Sequence, residues 1–368
     1  MKSIVLSGVN ISDMGPAVVF EEALQTAVEL YGDNYRIVAF VHRKDVYSIT
    51  GVTYYEFPKV KASWLRRLFF EYFTLNRISR SLNVALWVSM HDMTPYVKAE
   101  RRAVYCHNPA PFYKLNLREA FRNWKLAAFV LMYGYIYGVN IQKNDFVIVQ
   151  QDWMRQAFIK RYNLKRVVVA HPVINHTDDE TLVSPFHDKS RVYTFIYPAF
   201  PRSFKNYEVI LDAAELLENE YTGQYEILLT LDASINSYAA DLERRYRHLR
   251  NVRWLGILPH KEVLELYTQS DCLLFSSKLE TWGLPISEFK TTRKPMIVAD
   301  LPYARETVGS YHQVTFFEAT NSSQLAGYMK DAIRGIHMFS EVQASWIAHP
   351  FATDWHILWK YLMIGSTE

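Results

Sequence analysis

Short, almost wholly apolar runs recur along the chain at intervals that leave room for a helix between successive runs. In the first half Lys2–Leu6, Arg36–Val41, Val84–Val88, Ala103–Tyr105, Phe146–Val149 and Val167–Ala170 read as strands; in the second half so do Arg191–Tyr197, Glu226–Leu231, Val252–Leu255, Cys272–Phe275, Met296–Ala299 and Val314–Phe316. Runs of this length without strict alternation suit strands covered on both faces. Helical stretches such as Val19–Leu30 and Tyr207–Leu217 fall between them, which predicts an α/β protein of parallel sheets with crossover helices. The periodicity breaks over 171–190 and resumes afterwards, and the tail from Ser340 to Ile364, with Trp346, Trp355 and Trp359, reads as helical.

A length of 368 residues fits two domains. The expected division is 1–170, a linker at 171–190, a second domain at 191–340, and a terminal helix within 341–368. Hydrophobic residues at 49% and charged residues at 21% can build large cores and exclude a disordered or fibrous chain. Cys106 and Cys272 sit at strand positions in different halves and are expected to be buried reduced thiols. Met1-Lys2-Ser3 runs straight into a strand, with no room for a signal peptide, and the apolar Leu126–Val139 is shorter than the roughly 18 residues a membrane span needs. A cytoplasmic protein without a transmembrane helix is expected.

Charge changes this picture once the halves are separated. Residues 1–169 hold 23 Lys+Arg against 13 Asp+Glu, a net +10, while the remainder holds 18 against 25, a net −7, within a whole-chain +3. The first half is therefore expected to face something anionic, nucleic acid or a membrane surface. It lacks a recognised nucleic-acid module. It does mix cations with aromatics, from Trp64-Leu65-Arg66-Arg67-Leu68-Phe69-Phe70 to Arg77 and Arg80, and again through Lys114, Arg118, Phe121, Arg122, Trp124 and Lys125. Such stretches suit docking on the inner face of an anionic membrane, the alternative being core-packed helices with solvated arginines.

The candidate chemistry centres on Cys272 to Glu288, which reads as a strand, a tight loop and a helix start. Gly283 allows close approach of a ligand to the backbone, Pro285 fits a first helical turn, and free N–H groups there favour an anion. Glu280 and Glu288 flank the loop, so hydroxyl acceptors lie on either side of amide donors. That suits a nucleotide-sugar; the bland alternative is a solvated loop acid and a partner of the helix dipole. Arg202 and Lys205 stand where an earlier strand hands over to a helix, a place suited to a diphosphate. His91 and His107 follow strands, where a histidine is ordinarily structural. The loop Ser7–Pro16, containing Gly15, lacks the three-glycine dinucleotide spacing. Three histidines and four acids in 171–190 are spaced like no metal-ligand set.

Glu280-Thr281-Trp282-Gly283-Leu284-Pro285-Ile286-Ser287-Glu288 resembles the signature of the retaining glycosyltransferases of family 4. The resemblance implies the GT-B fold, two Rossmann-like domains facing across a cleft, with the last helix crossing back to the first domain. It also implies that Glu280 lies against the donor sugar, that the loop Thr281, Trp282, Gly283 and Leu284 meets the diphosphate, and that Glu288 binds the ribose. His107 is similar in placement to the histidine that meets the donor sugar at the reaction centre, and Gly256-Ile257-Leu258 resembles the base-contacting loop. Lys205-Asn206 matches the cationic motif, whereas Pro198-Ala199 replaces its usual Gly-Arg, leaving Arg202 as the substitute; Gly15-Pro16 replaces paired glycines. The implied activity is sugar transfer from a nucleotide-diphosphate donor to a saccharide or lipid-linked acceptor, as in cell-surface polysaccharide synthesis, without metal or other cofactor. A nucleotide-sugar epimerase, a sugar phosphorylase or a non-catalytic nucleotide-sugar-binding protein could share the scaffold.

Overall fold

The structure, a computed structural model, describes residues 1–11, 14–113, 124–172, 192–221, 223–343 and 346–365. The chain divides into two compact units, Met1–Val173 with Ile347–Glu368, and Ile174–Trp346. Most of the expected linker, 173–190, lies outside the described residues.

The first unit is built on β1 (Lys2–Ser7), β2 (Tyr35–Val41), β3 (Val52–Glu56), β4 (Val84–Ser89), β5 (Arg101–Cys106), β6 (Phe146–Val149) and β7 (Val167–Ala170), ordered β7-β6-β5-β4-β1-β2-β3. Every pairing is parallel. β4 and β6 are buried throughout, as expected of apolar runs covered on both faces. Because β1 pairs with β2 on one side and β4 on the other, the strand order reverses there. Loops leaving the carboxyl ends of β1 and β4 flank that reversal, where open α/β sheets bind ligands.

The second unit carries β8 (Tyr193–Tyr197), β9 (Tyr225–Leu229), β10 (Val252–Trp254), β11 (Cys272–Phe275), β12 (Met296–Ala299) and β13 (Val314–Phe317), ordered β10-β9-β8-β11-β12-β13 and again all parallel. Its reversal falls between β8 and β11. Cys106 and Cys272 are buried and free, and burial pushes both thiols above their ordinary pKa.

The chain then returns to the first unit, adding β14 (Phe351–Ala352) beside β7 and the helix Trp355–Ile364. Asp354 caps that helix by accepting from the Ile357 N–H at 2.9 Å, and Gly365, at φ +79°, ends it. Its Trp355, Leu358, Trp359 and Leu362 pack into one cluster with Phe20, Ala23, Leu24 and Ala27 of the helix Met14–Tyr31. Trp359 is fully buried and its indole N–H reaches the Ala23 carbonyl at 3.2 Å.

Two expectations are corrected, and β3 is a strand beyond those expected. The tail is helical only from Trp355: 340–343 and 346–354 are not helix, because Pro350 cannot supply a helical N–H and Asp354 sets the start. β3 carries no strong apolar run, being a half-buried edge strand. Gly15 and Pro16 belong to the first turn of the helix Met14–Tyr31 rather than to a loop, a position that suits the fixed φ of proline. Among the described residues no helix is long and apolar enough to cross a membrane.

Trp359→Ala should cost about 3–5 kcal/mol, the range for emptying a fully buried aromatic site. Urea unfolding followed by near-ultraviolet circular dichroism checks it; a loss below about 1 kcal/mol would mean that the terminal helix is not part of the cooperative core.

Candidate active site at the strand carboxyl ends

In the second unit the loops after β8 and β11 are sewn together. Asn206 adopts φ +58° between a short 3-10 turn, Ser203–Lys205, and the helix Tyr207–Tyr221. Its buried amide donates to the carbonyls of Ser276, at 3.1 Å, and Ala319, at 2.8 Å. The Ser276 hydroxyl lies 3.1 Å from the Lys205 carbonyl and 3.0 Å from that of Asn206. The Tyr197 hydroxyl donates to the Lys205 carbonyl at 2.6 Å, and the Lys278 N–H to the Phe204 carbonyl at 2.7 Å. The backbone around Lys205 is thereby fixed, and its ammonium pairs with Glu280 Oε1, both side chains being mostly buried. An ammonium has three donors and a carboxylate about four acceptor positions, so this pair uses only part of either group's capacity.

Arg202 is exposed, its guanidinium 5.6 Å from the Phe200 ring centre and 5.9 Å from that of Phe204. Across the turn, Gly283 takes φ +88° ahead of the helix Leu284–Lys290, a conformation that favours glycine. Trp282 is buried, its indole N–H donating to Ser287 Oγ at 2.9 Å and its carbonyl accepting from the Thr307 hydroxyl. Thr281 is half-buried and Leu284 exposed.

Glu288 points at neither Lys205 nor Glu280. Its Oε1 is 2.9 Å from His260 Nε2, and its Oε2 accepts from the Tyr267 hydroxyl at 3.1 Å. Burial and then the Glu288 charge push the Tyr267 phenol well above its ordinary pKa, so it remains a donor. Gly256, at φ +73°, lies against Asp232: a Cβ there would stand 2.5 Å from Asp232 Oδ2. Ile257 is exposed and Leu258 half-buried beside it.

In the first unit His91 is structural. Its Nδ1 is 2.8 Å from the Ser7 carbonyl and its Nε2 2.7 Å from Glu71 Oε1, with both side chains buried. Since a carbonyl only accepts, Nδ1 donates in the bond to Ser7. Glu71 occupies a single π-helical turn, Phe70–Thr74. Arg67 donates to the His91 carbonyl at 3.1 Å and to the amide oxygen of Asn10. His107 is half-buried after β5 and stacks on Tyr105, ring centres 4.3 Å apart. Arg67 and the buried Phe70, expected on a membrane-facing side, point into the unit instead. Arg118, Phe121 and Arg122 lie outside the described residues, as does the side chain of Trp124.

The sequence model of the glycosyl transferases group 1 family matches residues 179–341. No curated protein sequence matches the chain. Among solved structures, sucrose-phosphate synthase (tll1590) from Thermosynechococcus elongatus superposes with a TM-score of 0.65 at 13% identity, over 91% of this chain and 90% of that one. The lipopolysaccharide outer core galactosyltransferase WaaB in its apo form gives 0.62 at 14% identity, over 91% of both chains. Anabaena Alr3699/HepE in complex with UDP gives 0.58 at 14% identity, over 91% and 90%. Two parallel sheets and the superpositions define the GT-B fold, and residues 179–341 are similar to the glycosyl transferases group 1 family.

Sequence reasoning missed His260 and Tyr267, which precede Glu288 by 28 and 21 residues and carry no local signal. It also passed over Asp232, and it read Asn206 as a motif letter rather than as the clasp between loops.

Gly256→Ala should destabilise the second unit by about 1–2 kcal/mol, the cost of a left-handed backbone at a residue with a Cβ, and more if Asp232 cannot move aside. Urea titration of the variant checks it; unchanged stability would mean that the loop relaxes out of the left-handed region.

Proposed function

We propose that the protein is a retaining glycosyltransferase that moves a sugar from a nucleotide-diphosphate donor to a saccharide or lipid-linked acceptor. The observation that carries this reading is the Lys205–Glu280 pair at the strand reversal of the second unit. It sets a cation for the diphosphate beside a carboxylate for sugar hydroxyls. In the reaction the bond from the anomeric carbon to the diphosphate oxygen breaks, the acceptor oxygen bonds to that carbon on the same face, and the acceptor's proton passes to the departing diphosphate. Charge grows on the leaving group as its bond breaks, so Lys205 and Arg202 stabilise the transition state more than the bound donor. They supply the counter-charge in this reading without a metal ion or other cofactor.

In the same reading Glu288, with His260 and Tyr267 behind it, accepts from the ribose diol; Gly256, Ile257 and Leu258 border the base; and Thr281, Trp282, Gly283 and Leu284 line the diphosphate. His107 meets the donor sugar, and the segment containing Gly15 borders the acceptor. Alr3699/HepE has been solved with UDP and with UDP-glucose, which makes a uridine diphosphate sugar the first donor to test. A panel of UDP-, GDP-, dTDP- and ADP-sugars should raise the melting temperature for one nucleotide, since a ligand bound only by the native state stabilises it. With that donor, Lys205→Ala should lower kcat about 100-fold or more while leaving the melting temperature of the free protein within a few degrees. Transfer at the native rate by the variant would sink the assignment of Lys205, and no shift with any nucleotide would sink the donor class.

The acceptor side is read as a surface that docks on an anionic membrane. Leu65, Phe69 and Phe73 form an exposed stripe at i, i+4, i+8, and Phe69 and Phe73 stack with ring centres 5.3 Å apart. Exposed Arg66, Arg77 and Arg80 accompany them. Beside this stripe the helix Trp124–Gly138 exposes Leu131, Met132 and Tyr135, and its Tyr133 meets Trp64 edge to face. Aromatic burial at the headgroups and about 1 kcal/mol per basic residue then add. Liposome sedimentation should show binding to anionic vesicles that weakens in high salt and is lost when Leu65, Phe69 and Phe73 are changed to Ser. Equal pelleting of native and variant protein would return this face to an ordinary surface.

A further inference from the structure

The helices Trp124–Gly138 and Asp152–Tyr162 of the first unit border an open groove of about 480 Å3. A space of this size is within the roughly 300–1,000 Å3 of ligand sites. Leu131, Tyr135 and Val139, spaced four residues apart on one face, line it from the first helix and the residue after its end, and Leu131 and Tyr135 are largely exposed. Gly134 and Gly138 lie beside them, and Arg161 with Tyr162 lines the groove from the second helix.

Arg161 is exposed, yet its guanidinium is held in place. Nη1 donates to the Pro111 carbonyl at 2.6 Å, and Cζ lies 5.9 Å from the Phe112 ring centre and 5.6 Å from that of Tyr162. The Tyr162 ring is itself anchored, its hydroxyl donating to the Gly134 carbonyl at 2.7 Å. Nη2 rests on Gly134, where a Cβ would stand 2.0 Å from it. Glycine is less favourable than alanine inside a helix, so Gly134 weakens the helix and makes room for the guanidinium. Of the five guanidinium N–H donors, one bonds to a described residue, which leaves the others for a ligand.

Neither segment supplies a carboxylate to balance this cation. Residues 124–144 and 153–170 contain no Asp or Glu, and Lys160, Lys165 and Arg166 are exposed in the same stretch as Arg161. An apolar groove beside such a guanidinium is complementary to a phosphate joined to a hydrocarbon chain. We propose that the groove seats one anionic phospholipid of the membrane, Arg161 bonding the phosphate oxygens while Leu131, Tyr135 and Val139 cover the first carbons of an acyl chain. The site rests on the reading of this face as a membrane-docking surface and adds to it a single, saturable headgroup contact. A zwitterionic lipid offers the same phosphate but brings a cationic group to a stretch that is already cationic, so the groove selects by headgroup charge.

The test is calorimetric titration of the full chain with dihexanoyl phosphatidylglycerol held below its micelle concentration, so that binding is read without a bilayer. The native protein should take up one lipid per chain, while dihexanoyl phosphatidylcholine and inorganic phosphate bind about tenfold more weakly or less. Arg161→Gln should lose about tenfold in affinity for phosphatidylglycerol. Gly134→Ala keeps every charge and favours the helix but displaces the guanidinium, so it should lose as much with a melting temperature close to native. If Gly134→Ala does not fold, Arg161→Gln decides. Native affinity in either folded variant, or equal affinity for phosphatidylcholine or inorganic phosphate, would overturn the proposal. So would binding of farnesyl phosphate in place of phosphatidylglycerol, which would give the groove to an isoprenoid carrier. A dimer in sedimentation velocity that Gly134→Ala dissociates would give it to a second copy of the chain and overturn the proposal equally. Loss of liposome docking with the titration intact would strike the docking surface alone, and docking without saturable lipid binding would strike this site alone.

Discussion

The arrangement of the second unit depends on the side-chain amide of Asn206. It ties the end of the loop after β8 to the carbonyls of Ser276 and Ala319, while Ser276 bonds back to Lys205 and Asn206. Buried polar groups of this kind are costly when unpaired and specific when paired. Two loops that share such bonds have one relative position, and the meeting of Lys205 with Glu280 follows from it. The left-handed backbone at Asn206 serves the same end, turning the chain sharply into the helix Tyr207–Tyr221 so that Lys205 stays at the strand's carboxyl edge.

The first unit solves a similar problem with ionisable groups. At its own strand reversal, His91 links Ser7 of β1 to Glu71 of a π turn, and Arg67 closes the arrangement by bonding the His91 carbonyl and Asn10. One residue further on, Asp92 gathers two backbone amides and two tyrosine hydroxyls. Such groups are retained in an interior only when each has a partner. Here the partners come from different elements, so the same bonds that satisfy them also fix the loops.

Helix 64–69, the π turn and helix 75–81 show how one stretch can serve two environments. Phe70, Glu71 and Leu75 face inward, whereas Leu65, Phe69 and Phe73 face outward with the exposed arginines. Aromatic and cationic letters alone do not separate these faces. Phe69 and Phe70 are neighbours in the chain and about 100° apart around a helix, and only the packing shows which of them is buried.

Apolar runs covered on both faces fixed the parallel α/β class and twelve of the strands to within a few residues, because a strand buried in a sheet leaves its mark in its own letters. The Cys272–Glu288 segment likewise carried its strand, its left-handed Gly283 and its helix start in local sequence. What only the tertiary structure decided were relations between distant letters: that Lys205 meets Glu280 across 75 residues, that Glu288 is backed by His260 and Tyr267, and that Asp92 holds His107. The two-residue β14 was equally invisible, since its strand character comes from the edge of β7 on which it lies. Local patterns record burial and backbone preference, whereas hydrogen bonds and ion pairs between loops depend on strand order, which no single segment encodes.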